Sequence, residues 1–253
     1  MNTAVSFGLI GGHLKNTFSK DYFNHKFAQY KQPFYYENFQ LDSIEAFNKL
    51  LKSNENLRGL NVTIPFKESI IPYLHKLDNS AAVVGAVNCI KITKTNNQTQ
   101  LVGYNTDIFG FQQSLQNFIP LNEPLKALII GTGGAAKAVA YVCNLLKIDF
   151  LLVTHNREKV NTNTIHINQL NEALVHEYKL IINCTPLGMF PLVDDYPKIP
   201  YGAISGEHYC FDLIYLPEQT LFLQKASAQG AAIKNGLEML QEQANKAYEI
   251  FMA

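Results

Sequence analysis

Short apolar runs alternate with stretches of helical spacing along this chain. Val5 to Ile10 is apolar, Lys20 to Tyr30 has helical periodicity, and Phe34 to Phe39 is again apolar and aromatic. Short runs rich in Val, Ile, Phe and Tyr are typical of strands, and strands that alternate with helices predict a mainly parallel sheet.

The same alternation continues to about the middle of the chain. It predicts a helix over Ile44 to Lys52, a strand over Gly59 to Thr63, and extended segments over Val87 to Thr93 and Gln100 to Tyr104. The polar tract Thr93 to Gln100 is typical of a hairpin loop. The two extended segments that flank it are therefore predicted to pair antiparallel.

A second series begins with a buried-type strand at Leu125 to Ile130. It continues with the helix Ala135 to Leu146, strands at Phe150 to Thr154, Leu180 to Asn183 and Tyr209 to Asp212, and a helix over Gly236 to Phe251. A helix over Thr106 to Phe118 separates the two series and is predicted to bridge two lobes with a cleft between them. At 253 residues the length allows two lobes, and on length alone one large domain also remains open.

Composition restricts the classes of partner. The chain has 21 basic and 21 acidic residues, so it lacks the basic excess that usually accompanies nucleic-acid binding. A small molecule is the expected partner. Seven histidines are scattered without a ligand motif such as H-E-x-x-H, and we predict no metal site.

Cysteine usage and hydropathy bear on the compartment. The four cysteines form no C-x-x-C pair, which favours reduced thiols in the cytoplasm. No signal-peptide pattern and no run of about 18 apolar residues is present, so no membrane segment is predicted. Monomer and homodimer both remain open, because sequence does not separate an apolar surface patch from core.

A glycine-rich turn stands where a strand meets a helix. It comprises Gly131, Thr132, Gly133, Gly134, Ala135 and Ala136. Glycines there allow a tight turn and close approach of the backbone to a pyrophosphate, and the helix N-terminus offers N–H groups to the phosphates. The turn predicts a dinucleotide site, and a strand-to-helix connection without a ligand is the alternative.

The segment after the next strand addresses the choice between NADP and NAD. An NAD site usually has an acidic residue there, for the ribose 2′-hydroxyl. This chain instead has His155, Arg157 and Lys159, which suit a 2′-phosphate and favour NADP over NAD. A solvated charged turn is the alternative.

Two further strand ends carry groups for acid-base chemistry. Pro65 and Lys67 are predicted in the first turn of a helix, where a cation opposes the helix dipole, so that Lys67 is either solvated or chemically active. Asp107 or Thr106 could equally be a helix N-cap. Open α/β sheets collect active-site groups at the carboxyl ends of their strands, which favours a site at Lys67 and Asp107.

Beyond these local features, the chain resembles the shikimate dehydrogenase family over nearly its whole length. The strings that carry the resemblance are Gly8–Gly11 with Asn16–Ser19, Asn61–Lys67, Gly85–Asn88, Asn105–Asp107, Gly131–Lys137, Asn183–Met189, Asp212–Tyr215 with Pro217 and Thr220, and Asn235–Leu240 with Gln243. Asn61–Lys67 matches the family's N-V-T-x-P-F-K. Asn16–Ser19 resembles its H-S-x-S, with Asn16 and Thr17 in place of histidine and serine.

The resemblance implies a role for individual residues. Lys67 and Asp107 would be the catalytic pair. Substrate would bind to Thr17, Ser19, Thr63, Asn88, Tyr215 and Gln243. Besides the glycine turn and the three basic positions, the cofactor would contact Thr185, Leu213 and Gly236.

The same resemblance implies the domain roles and the reaction. Residues 1–105 would form the substrate-binding catalytic lobe, to which helix 237–253 returns, and residues 106–236 a Rossmann lobe that binds NADP. The implied activity is reversible, NADPH-dependent reduction of 3-dehydroshikimate to shikimate in aromatic amino acid biosynthesis. A quinate or dual-specificity dehydrogenase, an inactive nucleotide-binding regulator and a generic Rossmann module are the alternatives.

Overall fold

The chain divides into two compact units. The computed structural model describes residues 4–14, 17–95, 98–120 and 124–253. The first unit is Met1–Thr106 with Ala244–Ala253, and the second is Asp107–Gln243. Each unit contains a six-stranded sheet within the described residues.

The first unit carries six strands and three α-helices in the described ranges. The strands are β1 (Val5–Gly11), β2 (Phe34–Gln40), β3 (Leu57–Val62), β4 (Lys76–Leu77), β5 (Cys89–Thr95) and β6 (Gln98–Tyr104). The helices are α1 (Phe18–Gln29), α2 (Phe47–Ser53) and α3 (Asn79–Val84), with 3₁₀ turns at Ile44–Ala46 and Ile71–Tyr73.

The first sheet has the strand order β2-β1-β3-β5-β6-β4. β1 pairs parallel with β2 and β3, and β4 pairs parallel with β6. β5 pairs antiparallel with β3 and β6, which confirms the predicted antiparallel pair. These directions bring the ends of β1, β3 and β6 and the start of β5 to one end of the sheet. We call the described residues there, 11–14, 17–19, 63–67, 85–88 and 105–106, the first strand-end region.

Both faces of β1 are buried, which explains its uninterrupted apolar run. Phe7 and Leu9 point into an aromatic cluster with Phe23 of α1 and with Phe251 near the C-terminus, and the Phe7 and Phe251 ring centroids are 5.0 Å apart. Ile10 joins a separate cluster. Strands covered on both faces lose the polar alternation of half-exposed strands.

The second unit has six strands in the described residues. They are β7 (Lys126–Ile130), β8 (Asp149–Thr154), β9 (Thr164–His166), β10 (Leu180–Asn183), β11 (Tyr209–Asp212) and β12 (Ala232–Lys234). The helices are α4 (Asp107–Gln116), α5 (Gly134–Leu145), α6 (Glu172–Glu177), α7 (Leu221–Ser227) and α8 (Leu237–Met252), with 3₁₀ turns at Arg157–Lys159, Ile167–Gln169 and Tyr201–Ala203. The last part of α8, from Ala244, belongs to the first unit.

The second sheet is parallel throughout, with the order β12-β11-β10-β7-β8-β9. This is the doubly wound order of dinucleotide-binding folds, and the direction of winding reverses between β7 and β10. All the strands end at the same edge. We call the residues that follow those ends, 131–136, 155–159, 184–189, 213–215 and 235–236, the second strand-end region.

The predicted helix around Pro65 and Lys67 is wrong. The segment from Thr63 to Ile70 follows a series of turns. The carbonyl of Ile64 accepts from Gly12 N at 3.1 Å, and the carbonyl of Lys67 accepts from Val87 N at 2.7 Å. The carbonyls of Ile64 and Lys67, which a helix would use internally, thus bond to other segments, and no regular helix forms here. The helix-dipole argument for Lys67 therefore fails.

Other differences concern short elements and their bounds. The predicted strands Leu180 to Asn183 and Tyr209 to Asp212 are confirmed with the same bounds. β5 begins at Cys89 instead of Val87, and the predicted loop after Thr93 is mostly strand, although residues 96 and 97 lie outside the described ranges. The predicted helix Thr106 to Phe118 is α4, which lies wholly in the second unit. β4, β9, β12, α3, α6 and α7 were not predicted.

Candidate active site

Thr63 and Lys67 follow the end of β3 in the first strand-end region. Thr63 N donates to the carbonyl of Ile10 at 2.9 Å, and the Lys67 carbonyl accepts from Val87. Both side chains are half-buried. The backbone of Lys67 is thereby fixed beside the segment that leads into β5, which makes its position independent of any helix.

Asn88 connects the strands that end in this region. Its side chain is 3% exposed, and its Nδ2 donates to Thr106 Oγ1 at 3.0 Å while its Oδ1 accepts from Thr106 N at 2.7 Å. Its carbonyl accepts from Val62 N at 2.9 Å and from Asn61 Nδ2 at 3.3 Å. Asn88 therefore fixes the end of β3 against the segment that precedes Asp107.

Tyr36 extends this network toward α1, and sequence reasoning assigned it no role. Its hydroxyl donates to Asn61 Oδ1 at 2.8 Å and is hydrogen-bonded to Ser19, and its ring stacks on Phe23 at 4.6 Å. Burial raises the pKa of Tyr36 well above its ordinary value, Cys89 adds a smaller rise, and the hydrogen bond with Ser19 opposes the shift. Tyr36 is thus a neutral hydrogen-bonding group.

The predicted carboxylate-binding hydroxyls lie at the start of α1. Thr17 occupies the N-cap position, but its Oγ1 donates to Asn38 Oδ1 of β2 at 2.8 Å instead of capping the helix. Ser19 lies in the first turn and contacts Tyr36. Asn16 lies outside the described residues.

The glycine turn has the backbone that a dinucleotide site requires. Gly131 has φ +120°, and a Cβ there would lie 3.3 Å from the carbonyl group of Cys184. Gly133 precedes α5, and a Cβ there would meet no atom within 4 Å. Ala136 is 1% exposed, so a small residue packs the helix closely on the sheet. Space lies open beside Gly133, next to the N-terminus of α5.

The three basic residues follow β8 and are all exposed. Arg157 and Lys159 bound a 3₁₀ turn, which Asn156 caps by accepting from Glu158 N at 2.9 Å. Lys159 Nζ lies 3.4 Å from Thr132 Oγ1 in the glycine turn. In the described residues no hydrogen bond joins the side chain of His155 or Arg157 to that turn.

A second buried network lies where β10 and β11 end. Thr185 Oγ1 donates to Asn183 Oδ1 at 2.7 Å, and Asn183 Nδ2 donates to Asp212 Oδ1 at 3.1 Å. Asp212 Oδ2 accepts from Thr220 Oγ1 at 2.6 Å, and Oδ1 also accepts from Ile214 N at 3.0 Å.

Burial dominates the electrostatics of this network. It raises the pKa of Asp212 to about 6, although the three hydrogen bonds to the carboxylate oppose the shift. Asp212 and Asn183 stand within the strings that resemble the family, but the resemblance implies no role for them. The feature that could have identified them is that each is a polar residue at the end of an apolar strand.

Leu213 and Gly236 are held together by backbone contact. Leu213 N donates to the Asn183 carbonyl at 3.0 Å, and Gly236 N donates to the Ile214 carbonyl at 3.0 Å. A Cβ at Gly236 would overlap with the Leu213 carbonyl, so only glycine fits there. Tyr215 is half-buried, and burial raises the pKa of its hydroxyl.

Asp107 and Gln243 lie at the ends of the second unit's own chain segment. Asp107 begins α4 and is 6% exposed. Gln243 Nε2 donates to the Leu240 carbonyl at 3.0 Å. The Cβ of Gln243 lies on the surface of α8 that packs against Gly110 of α4. A Cβ added at Gly110 would overlap with the Met239 carbonyl. The close approach of these helices fixes the backbone at Gln243.

The described residues also bear on a metal centre and on a membrane span. Across residues 4–14, 17–95, 98–120 and 124–253, no group of three or more His, Cys, Asp and Glu side chains is placed to hold a metal ion. Within the same ranges, no helix has both the length and the apolar character needed to cross a bilayer.

Comparison with known proteins connects these features to a family. Residues 9–90 match the family model described as the shikimate dehydrogenase substrate binding domain. The shikimate dehydrogenase (NADP(+)) of Desulforamulus reducens is 36% identical, and the alignment covers 96% of this chain and 88% of that protein. The chain belongs to the shikimate dehydrogenase family.

Solved structures of other family members share the architecture. The shikimate dehydrogenase of Aquifex aeolicus superposes with a TM-score of 0.87 at 29% identity, covering 99% of this chain and 93% of that one. The enzyme of Thermus thermophilus, solved in complex with NADP(H) and shikimate, superposes with a TM-score of 0.84 at 26% identity, covering 98% and 93%. The predicted fold class is confirmed.

Proposed function

We propose that this member of the family is a shikimate dehydrogenase that reversibly reduces 3-dehydroshikimate to shikimate with NADPH, a step toward aromatic amino acids. The observation that carries the proposal is similarity over 96% of the chain to enzymes named shikimate dehydrogenase (NADP(+)). The strings that bear Lys67, Asn88 and the glycine turn are present in that span. Cytoplasmic location stays a prediction.

The residues of the second strand-end region fit a dinucleotide with a 2′-phosphate. The turn at Gly131 requires a positive φ, and the space beside Gly133 is open to a ligand at the N-terminus of α5. Lys159 lies against the turn and carries a positive charge for the additional phosphate. NADPH, when bound, supplies the hydride that reduces the ketone carbon. Thr185, Leu213 and Gly236 would line the remainder of its site.

Lys67 is proposed to donate the proton that the developing alkoxide needs, with Asp107 as its acidic partner. A lysine ammonium is a compact, mobile proton donor. The carbonyl contact from Val87 fixes the backbone of Lys67 and leaves the side chain to be oriented by the substrate and by its own neighbours. On release of shikimate, Lys67 regains its proton from water.

Hydroxyl and amide groups of the first strand-end region are proposed to orient the substrate. Thr63 and Asn88 would bind ring hydroxyls, and Thr17 and Ser19 the carboxylate. Asn88 is already fixed by Thr106, so its geometry does not have to be organised when substrate binds. Tyr215 and Gln243 are also proposed to bind substrate.

The direct test is turnover by the purified chain. We expect NADPH to be consumed when 3-dehydroshikimate is added, and NADP+ to be reduced when shikimate is added. A chain that binds NADP+ in calorimetry but turns over neither compound would instead be an inactive nucleotide-binding regulator.

A further inference from the structure

Thr132 and Lys159 come together because the ends of β7 and β8 lie side by side. Gly131 N donates to the Val153 carbonyl at 2.8 Å, which holds the glycine turn against the end of β8. The Lys159 ammonium then donates to Thr132 Oγ1 at 3.4 Å across the gap between the two segments. This contact joins the glycine turn directly to the basic segment 155–159.

The backbone of Lys159 is fixed independently of its ammonium group. Asn156 N donates to Thr154 Oγ1 at 3.1 Å, and Lys159 N donates to the Asn156 carbonyl at 3.1 Å. The four-carbon stem beyond this backbone is flexible, and ordering such a side chain costs rotamer entropy. Thr132, whose β-branched side chain has few rotamers, is the group that holds the tip.

The charge of Lys159 is also available to a ligand. In the part of the chain that the structure describes, Lys159 forms no ion pair, and the adjacent Glu158 is exposed. His155 and Arg157 are exposed and lack a hydrogen bond to the glycine turn among the described residues. Of the three basic residues that follow β8, Lys159 is therefore the one whose side chain reaches the turn.

We propose that Thr132 is a positioning residue for cofactor selection: its hydroxyl holds the Lys159 ammonium where the 2′-phosphate of NADP binds. The inference rests on the proposed function and deepens it, since it names the group that orients the phosphate-binding cation. Lysine is a flexible point charge without the rigid fork of arginine, so orientation by a neighbour improves its binding of a phosphate. The bond to Lys159 bears on NADP alone, because NAD lacks the 2′-phosphate that Lys159 would bind.

The test compares Thr132→Val, which removes the hydroxyl and keeps the shape, with Thr132→Ser, which keeps the hydroxyl. Calorimetry should show that Thr132→Val raises the Kd for NADP+ by about two- to tenfold, the usual net effect of one hydrogen bond, and the Kd for NAD+ by a smaller factor. Thr132→Ser should bind both as the wild type does. In turnover assays the KM for NADPH should rise by a larger factor than kcat falls.

A double-mutant cycle shows whether Thr132 affects NADP+ affinity through Lys159. Lys159→Met should weaken NADP+ binding by about ten- to a hundredfold, because a bond to a charged group is lost. In that background Thr132→Val should have no further effect on NADP+ affinity. Thr162→Val makes the same chemical change at an exposed threonine beyond the 3₁₀ turn and should alter neither Kd.

Three results would overturn the inference. Equal loss of NADP+ and NAD+ affinity in Thr132→Val would make Thr132 a structural residue of the turn, and so would an undiminished effect in the Lys159→Met background. An unchanged Kd for NADP+ in Thr132→Val would remove the role entirely, while the proposed function would stand. A wild-type chain that binds no dinucleotide would contradict the proposed function itself.

Discussion

A buried asparagine organises each of the two strand-end regions, but the two have different neighbours. In the first, Asn88 bonds to Thr106 and, through its carbonyl, to Asn61, so those hydrogen bonds join neutral groups. In the second, Asn183 bonds to the buried carboxyl of Asp212. Both networks have the same structural role, because each connects the ends of neighbouring strands.

The difference shows which features of a site depend on pH. Hydroxyls and amides do not titrate in the physiological range, so the bonds from Tyr36 through Asn61 to Asn88 persist across it. A buried carboxyl costs desolvation when it is charged, and the pKa of Asp212 rises accordingly. The second region therefore carries a pH-dependent stability that the Tyr36 network lacks.

The largest effect is expected at Lys67, whose role is chemical. Lys67→Met should lower kcat by roughly a hundredfold or more, because general acid catalysis contributes about 10² to 10⁴. The Kd for NADP+ should not change, since the cofactor groups belong to the second region. Turnover close to wild type would show that Lys67 takes no part in the chemistry. A parallel loss of NADP+ affinity would contradict the assignment of cofactor binding to the second region alone.

Asp212→Asn tests the charged network. The pKa of Asp212 is raised from its ordinary value of 3.8 to about 6 in the folded chain, so the unfolded chain releases that proton first. The free energy of unfolding of the wild type then falls with rising pH through that window by about 1.4 kcal/mol per pH unit, or about 3 kcal/mol in all. Asparagine can keep the bonds from Ile214 N and Asn183 Nδ2 at its Oδ1 without a charge, and its Nδ2 would donate to Thr220 Oγ1 in place of the bond that Thr220 donates in the wild type.

The measurement is the difference in unfolding free energy between Asp212→Asn and the wild type, from denaturant titrations at about pH 4 and about pH 7. The variant should gain stability relative to the wild type as the pH rises. Other titrating groups cancel in this difference. A difference that stays constant with pH would show that Asp212 is charged in both states at no cost.

The glycine turn offers a comparison within the second region. Gly131→Ala should destabilise the fold by about 1–3 kcal/mol, because alanine is strained at a positive φ and its Cβ would press on Cys184. Gly133→Ala should leave stability almost unchanged and weaken NADP+ binding severalfold, because its Cβ enters open space. Thermal unfolding and calorimetry separate the two; equal stability losses would contradict this account of the turn.

The smallest effect is expected at Tyr36. Tyr36→Phe leaves Asn61 Oδ1 without its buried donor and should lower the unfolding free energy by about 1–2 kcal/mol. The loss should be the same at about pH 5 and about pH 7, because the pKa of Tyr36 lies far above both. A loss that varies with pH would mean that the first network also contains a titrating group.

Local patterns predicted much of this molecule. The Rossmann-type unit was predicted because strand, glycine turn and helix are adjacent in sequence, and each leaves a periodic signature. The strands Leu180 to Asn183 and Tyr209 to Asp212 are buried on both sides and uninterrupted, so their bounds were clear. Three-residue strands such as Thr164–His166 are too short to show a period.

Tertiary contacts decided what the patterns could not. The segment around Lys67 has a helix-like start, but Gly12 and Val87 take its carbonyls from distant parts of the chain. Tyr36 lies between Ser19 and Asn61 only because β2 lies beside β1 and β1 beside β3. Sequence also left open which of His155, Arg157 and Lys159 approaches the glycine turn, and that contact depends on the path of the 3₁₀ turn.

The central claim concerns substrate and cofactor together, and one kinetic cross-assay tests both. The purified chain is given shikimate or quinate, each with NADP+ or NAD+, and kcat/KM is measured for the four pairs. The account predicts the highest value for shikimate with NADP+. A higher value for quinate would make the chain a quinate dehydrogenase, and a higher value with NAD+ would contradict the role given to Lys159 and Thr132.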